Sequence, residues 1–226
     1  MSLSRPWDAY DAYLFDIDGT LLHCKDAVHY FGFCHALTSA AGRPVDILGL
    51  PVQGKIDPGI LREAFARAGV PESAWRPRLP EILEEMAAHV EAHATDFQID
   101  VLPGVREVLQ HLRAKGAKLG TGTGNLERIG WAKLQACGLR EFFDFGGFSN
   151  GYEQRGAMIA GAADTARRLT RLDAAILVLG DTPGDIEAAR FAGLEVLAVA
   201  TGIFTAEQLQ NADQIVSSFS RLSDLG

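Results

Sequence analysis

The chain has 226 residues, of which 47% are hydrophobic and 22% are charged, and its formal net charge is −8. This balance is typical of a globular protein and argues against intrinsic disorder. The negative charge disfavours a general electrostatic attraction to nucleic acid or to an anionic membrane, so we expect neither as a partner.

The sequence also indicates the cellular compartment. No apolar run reaches the roughly 20 residues that cross a bilayer, and the first residues show no signal-peptide pattern. The three cysteines are scattered along the chain without CxxC spacing, which disfavours a disulfide framework or a zinc site: Cys24, Cys34 and Cys137. We therefore expect a soluble protein of the reducing cytoplasm.

Short apolar runs alternate with helical patterns along most of the chain. The predicted strands are 12–16, 117–122, 142–146, 175–179 and 196–199, and helical patterns follow at 126–136, 157–169, 185–192 and 206–209. Such alternation predicts an α/β fold, with a parallel sheet between helices in a three-layer, Rossmann-like core.

The stretch from 22 to 100 breaks this rhythm. It shows helical patterns at 27–41, 57–68 and 79–94 and no convincing buried strand. We predict that it forms a helical cap over the carboxyl end of the sheet, with the core made of 1–21 and 101–226. Ligands of open α/β sheets bind at that end, so its polar residues matter most.

Two carboxylates follow the first predicted strand. Asp16 and Asp18 are two residues apart, which places them on the same face of an extended chain. Gly19 permits a tight turn, and Thr20 can form a hydrogen bond to the backbone or to a carboxylate. A divalent cation would relieve the repulsion between the two acids, and hard oxygen ligands suit Mg²⁺. The alternative is a simple strand-end turn.

Two further acids follow the strand at 175–179. Asp181 repeats the strand-end position of Asp16, and Asp185 comes four residues later. Asp185 could instead be the N-cap of the next helix. At the same sheet edge, these acids would complete an oxygen-rich site for one cation.

A Gly-rich loop follows the strand at 117–122. Thr123, Gly124 and Asn125 precede a helix, where free backbone N–H groups can bind an anion. The pattern is neither the dinucleotide fingerprint GxGxxG nor a Walker A loop, which disfavours a nicotinamide-dependent enzyme and a nucleotide triphosphatase.

Together these motifs resemble those of the haloacid dehalogenase (HAD) superfamily of phosphatases over nearly the whole chain. The segment 16–20 is similar to the first motif of that family, 123–125 to the second and 180–185 to the fourth. Thr123 takes the phosphate-binding place, with Thr121 as a less favoured register. The helical insertion is similar to the cap between motifs one and two in relatives of the phosphoglycolate phosphatase and β-phosphoglucomutase type.

The third motif departs from the family, which generally has a lysine before a helix. The segment 148–156 has no lysine, and Arg155 is the cation in the corresponding place. Its planar fork could bind a phosphoryl oxygen and a carboxylate together. A surface arginine without a role is the alternative.

The resemblance implies a mechanism. Asp16 would be the nucleophile and form an aspartyl-phosphate, and Asp18 would be the general acid and base. Mg²⁺ would be held by the Asp16 carboxylate, the Asp18 backbone carbonyl and Asp181, with Asp185 acting through water or by orienting other ligands. Asp18 disfavours a dehalogenase, which needs no proton donor there. A sugar phosphomutase is the main alternative, and a non-catalytic phosphometabolite-binding protein is a weaker one.

The cap is expected to select the substrate, which we predict to be a small phosphorylated metabolite. In the polar turn 49–59, Gln53, Lys55 and Asp57 are predicted to face the active site; a solvated loop is the alternative. This turn lacks the arginine that a sugar phosphomutase uses for a distal phosphate. We interpret His23, His29 and His35 as structural or surface residues. The protein could be a monomer or a dimer.

Overall fold

The computed structural model describes residues 2–225 and contains eight strands and eight α-helices there. In chain order, the strands are β1 (Ala12–Phe15), β2 (Leu22–Cys24), β3 (Ile99–Val101), β4 (Lys118–Gly122), β5 (Phe145–Gly147), β6 (Ile176–Gly180), β7 (Glu195–Val199) and β8 (Gln214–Val216). The helices are α1 (Val28–Ala41), α2 (Asp57–Arg67), α3 (Glu72–Trp75), α4 (Leu79–Ala92), α5 (Val105–Ala114), α6 (Glu127–Ala136), α7 (Arg155–Leu169) and α8 (Pro183–Phe191). Short 3₁₀ turns cover Arg76–Arg78, Ala94–Asp96, Arg140–Phe142 and Phe219–Leu225.

Six strands form one parallel sheet in the order β5-β4-β1-β6-β7-β8. Successive side chains of a strand point to opposite faces, so Tyr13 and Phe15 pack with α5 and α6. Leu14 points the other way and packs with α7 and α8. Helices therefore cover both faces, which confirms the predicted three-layer α/β core.

The structure differs from the predicted elements near the end of the chain. The predicted helix 206–209 is wrong, since these residues form a series of turns. β8 was not predicted; it is a three-residue edge strand in which only Val216 is buried, so it has almost no hydrophobic pattern. The strand predicted at 142–146 begins later, at Phe145, because the 3₁₀ turn precedes it.

The insertion after β1 is mainly helical, as predicted, and has its own hydrophobic cluster. Phe33 of α1, Phe65 of α2 and Met86 of α4 meet there, together with Leu126 and Ile129 at the start of α6. We call the helical segment from α1 to α4 the cap. No buried strand was predicted here, and the two short strands at the ends of the stretch are mostly not buried. β2 and β3 pair there in an antiparallel ladder.

β2 and β3 lie beside the predicted domain boundaries at 21/22 and 100/101, which stay a prediction. None of the helices within 2–225 combines the length and apolar character that a bilayer crossing requires.

Candidate active site

A cavity of about 550 Å³ lies at the carboxyl ends of β1, β4 and β6, between the core and the cap. It is lined by the polar residues that follow these three strands and by cap residues of α1 and of the turn before α2. A second cavity, of about 710 Å³, lies between α1 and α4 and contains none of the predicted site residues. The cavity at the sheet edge is therefore the candidate active site.

Three carboxylates meet at the sheet edge. Asp16, Asp181 and Asp185 each offer an oxygen within 4.8 Å of the others, and all three residues are buried. Thr20 donates a hydrogen bond of 2.8 Å to Asp181. Gly19 has a φ of 86°, and an added Cβ would overlap the Asp181 carboxylate. Only glycine therefore lets the chain turn this closely around the acidic group.

Arg155 is the first residue of α7 and points into the acidic cluster. Its guanidinium lies 3.1 Å from Asp16 Oδ1 and 2.5 Å from Asp185 Oδ1. The side chain is only 9% exposed, so the alternative of a surface arginine is wrong. One guanidinium nitrogen, Nη2, contacts both acids, while Nη1 faces the backbone carbonyl of Lys55 at 3.5 Å.

Asp185 has two roles in the structure. It is not the N-cap of α8; Thr182 is, and Asp185 is the third residue of a capping box. Its Oδ2 accepts hydrogen bonds from the Thr182 backbone N–H (3.0 Å) and hydroxyl (2.7 Å). This leaves Oδ1 directed at Arg155. The helix start thus fixes the orientation of the carboxylate.

The acidic cluster has more negative charge than Arg155 neutralises. Burial, together with the charges of Asp185 and Asp18, raises the pKa of Asp16 to about 7, although the charge of Arg155 acts to lower it. Burial, with the charges of Asp16 and Asp185, raises the pKa of Asp181 to about 8. Buried, closely spaced hard oxygen ligands of this kind fit a divalent cation, which would remove the repulsion.

The side chain of Asp18 lies outside the cluster of three acids and is held by other donors. Lys133 Nζ lies 2.8 Å from one Asp18 oxygen and 2.7 Å from the other, and Asn125 Nδ2 donates a bond of 2.8 Å. Asp18 is 43% exposed to the cavity, yet burial still acts to raise its pKa. The charge and hydrogen bond of Lys133 outweigh this and lower the pKa to about 2.

Lys133 was not among the predicted site residues. It lies on α6 and its side chain is only 2% exposed, which is rare for a lysine. A signal for it does exist in the sequence. Ile129, Gly130, Lys133 and Leu134 lie on the buried face of α6, so the helical period places this lysine on an apolar stripe. A cation there needs a buried partner, and Asp18 provides it.

The loop after β4 reaches the cavity as predicted. Thr123, Gly124 and Asn125 all line it, whereas Thr121 is buried within β4. Asn125 Nδ2 donates to Thr123 Oγ1 at 2.7 Å as well as to Asp18. The loop is therefore tied to the first motif by side-chain hydrogen bonds.

The three predicted cap residues line the cavity but differ in their contacts. Asp57 is buried at the start of α2 and binds the core, since its carboxylate accepts from the Leu126 N–H at 2.8 Å. Lys55 Nζ lies 2.6 Å from both Glu63 oxygens. Gln53 is exposed.

The comparisons with known proteins agree with this geometry. Residues 10–193 match the family model described as haloacid dehalogenase-like hydrolase. The chain belongs to this family. It is 31% identical over 218 residues to a phosphoglycolate phosphatase of Caulobacter vibrioides, covering 91% of this chain and 86% of that protein. The haloacid dehalogenase-like resemblance inferred from the motifs is thus confirmed.

Solved structures show the same fold at lower identity. CbbY from Rhodobacter sphaeroides, crystallised with phosphate, has a TM-score of 0.69 and 22% identity, covering 94% of this chain and 96% of CbbY. A β-phosphoglucomutase from Clostridium difficile has a TM-score of 0.71 and 17% identity, covering 94% of this chain and 93% of that enzyme. Both the core and the insertion of this haloacid dehalogenase-like hydrolase therefore have counterparts in solved structures.

Proposed function

We propose that the chain is a Mg²⁺-dependent phosphatase that hydrolyses a small phosphate monoester through an aspartyl-phosphate on Asp16. The observation that carries this proposal is the group of Asp16, Asp181 and Asp185 with Arg155 between them, open to a cavity beside Asp18. Relatives named phosphoglycolate phosphatase support the same reaction class.

In the first step, an Asp16 oxygen attacks phosphorus and the bond to the leaving oxygen breaks. Lys133 keeps free Asp18 anionic, so Asp18 has to take up a proton as the ester binds, when the negative charge of the phosphate raises its pKa. Asp18 gives this proton to the leaving oxygen, so an alcohol leaves and an aspartyl-phosphate remains. In the second step, Asp18 takes a proton from water, whose oxygen attacks phosphorus and releases phosphate from Asp16. Asp18 regains the proton it gave, and the net reaction consumes one water. The ion pair with Lys133 favours the anionic Asp18 that deprotonates this water.

Charge on the transferring oxygens has to be stabilised in both steps. Arg155 and the Thr123 loop line the cavity and would donate hydrogen bonds to the transferring phosphoryl oxygens. Mg²⁺, when bound, adds Lewis-acid stabilisation of the phosphoryl group. Asp16, Asp181, Asp185 and the Asp18 backbone carbonyl would hold it.

The alternative functions require different residues in the active site. A dehalogenase does not need the acid and base Asp18. A sugar phosphomutase would use the same core residues, but the turn before α2 offers Lys55, already paired with Glu63, and no arginine. A cytoplasmic phosphometabolite is the substrate class we propose, because the cavity of about 550 Å³ suits a small molecule.

A phosphate-release screen over small phosphoesters, with and without Mg²⁺, tests this proposal. We expect turnover of p-nitrophenyl phosphate and of at least one aliphatic monoester, lost on addition of EDTA and restored by Mg²⁺. Full activity in EDTA or in Asp16→Asn would contradict the mechanism. Conversion between sugar-phosphate isomers without phosphate release would indicate a mutase instead.

A further inference from the structure

A chain of polar contacts crosses from the cap to Asp18. His29 of α1 and Asp57 of α2 belong to the cap, whereas Lys133 of α6 belongs to the core. His29 Nδ1 lies 3.1 Å from Lys133 Nζ, and His29 Nε2 lies 3.3 Å from Asp57 Oδ2. Lys133 in turn holds both oxygens of Asp18. His29, interpreted from the sequence as structural or surface, is thus one contact away from the proposed acid and base.

The ammonium group of Lys133 has no free donor capacity in this arrangement. Its three protons face Asp18, Asn125 Oδ1 at 2.9 Å and His29 Nδ1. An ammonium cannot accept a hydrogen bond, so Nδ1 must be the acceptor and the imidazole proton lies on Nε2. Nε2 is buried and has no hydrogen-bond partner among the described residues, although it lies 3.3 Å from Asp57 Oδ2.

Lys133 contacts both carboxylate oxygens of Asp18, and the Asn125 side chain donates a further hydrogen bond to this carboxylate. Contacts to both oxygens fix the plane of the carboxylate as well as its position. Proton transfer requires that geometry, because a misplaced acid or base loses most of its effect.

We infer that Lys133 and His29 are a positioning pair that orients Asp18 for proton transfer and makes this orientation depend on contact between the cap and the core. The inference rests on the proposed phosphatase function. His29 and Asp57 belong to the cap, so opening of the cap would remove the His29 contact from Lys133, together with the Asp57 carboxylate that lies beside His29. Lys133 itself does not touch the reacting atoms.

A purely structural ion pair would look the same in the structure but behave differently in kinetics. Its loss would weaken folding and lower activity on every substrate alike. Loss of a positioning residue should lower activity mainly on aliphatic esters. A p-nitrophenolate can leave without a proton, whereas an aliphatic alkoxide needs one. The leaving group therefore separates the two roles.

The test measures burst rate constants for release of the leaving group in Lys133→Met, by rapid quench with Mg²⁺ present. The substrates are p-nitrophenyl phosphate and the aliphatic monoester with the highest wild-type kcat/KM. We expect a loss of about 10²-fold or more on the aliphatic ester and a severalfold loss on the aryl ester, with little change in KM. Equal losses on both substrates would overturn the inference.

Two further variants keep the test decisive. His29→Ala should show the same selectivity at about tenfold, and combining it with Lys133→Met should add little, because both act through Asp18. If Lys133→Met does not fold, the test rests on His29→Ala alone. Equal losses of activity on the aryl and the aliphatic ester in His29→Ala would then overturn the inference. Lys118→Met is the matched control, since Lys118 pairs with Asp144 at 3.1 Å at the other end of β4.

The outcomes also distinguish this inference from the proposed function. A wild-type protein without phosphatase activity on either substrate would reject the proposed function. An active wild type with an inactive Asp16→Asn variant, but an unselective Lys133→Met variant, would reject only the positioning pair.

Discussion

The core side and the cap side of the active site are built in different ways. On the core side, the charges of Asp16, Asp185 and Arg155 are buried and paired with one another. On the cap side, Lys55 pairs with Glu63 while their side chains stay 33% and 43% exposed. Buried charges need a partner, so folding itself fixes the core side. An exposed pair contributes little to stability and can be exchanged freely. We therefore propose that the core side supplies the reacting groups and that the cap side selects the substrate.

Replacement of the nucleophile should have the largest effect. We expect Asp16→Asn to lower kcat by about 10⁴-fold or more in phosphate release, because no other group can form the covalent intermediate. The melting temperature should not fall, since the variant removes a buried charge that Asp185 and Asp18 oppose. Activity within about tenfold of wild type would disprove the nucleophile.

Removal of Arg155 should have the next largest effect and should also weaken folding. Arg155→Ala leaves Asp16 and Asp185 buried without their cation. We expect kcat/KM to fall by about 10³-fold and the free energy of unfolding to fall by about 3 kcal/mol. Arg171→Ala is the control, because Arg171 pairs with Asp11 on the surface. Wild-type kcat/KM in Arg155→Ala would remove this residue from the site.

A methyl group at Gly124 should disturb the contact between the two sides without touching the acids. A Cβ there would overlap the backbone carbonyl of Lys55 in the cap. We expect Gly124→Ala to raise KM and to lower kcat/KM by about 10²-fold, because the cap can no longer reach its position. Gly116→Ala meets nothing within 4 Å and has a φ of 80°, so it should lose stability but keep its activity. Similar activity losses in both variants would argue against a cap contact.

The smallest effect is expected from a substitution on the cap side, which should change the preference between substrates. Glu63→Gln frees the Lys55 ammonium, which then faces the cavity without a carboxylate partner. We expect kcat/KM for phosphoglycolate, relative to that for 2-hydroxyethyl phosphate, to rise by about tenfold, because an unpaired cation can bind the substrate carboxylate. An unchanged ratio would show that Lys55 does not contact the substrate. Lys55→Met in the Glu63→Gln background should reverse the gain.

The sequence predicts the core side well because its polar residues stand directly after buried apolar strands. Asp16 and Asp181 each follow such a strand, and a parallel sheet has to bring those strand ends together. Arg155 was predicted from its place before a helix, and a contact with a carboxylate was expected of it, but its burial between two acids was not predicted. The catalytic, metal and phosphate roles of these residues stay proposals until the variants are measured.

Contacts between distant helices were beyond the sequence. Lys133 and His29 are 104 positions apart, and neither belongs to a motif. Lys133 was visible only as a charge on an apolar helix face, and its partner depended on how the cap meets the core. Asp57 was predicted to face the active site and lines the cavity, but its carboxylate binds the Leu126 N–H. The short strands β2 and β3 were missed because three residues carry too little pattern.

The antiparallel ladder between β2 and β3 brings together the two ends of the segment that contains the cap. Leu22 lies opposite Val101 and Cys24 opposite Ile99, so the chain leaves and returns at points only about 5 Å apart. The pairing of β1 with β4 lies outside this inserted segment. An evolving or engineered lineage could therefore exchange residues 25–98 for a segment of another length, and so acquire a new substrate, while keeping the buried group of Asp16, Asp181, Asp185 and Arg155; only the contact that His29 makes with Lys133 would have to be rebuilt.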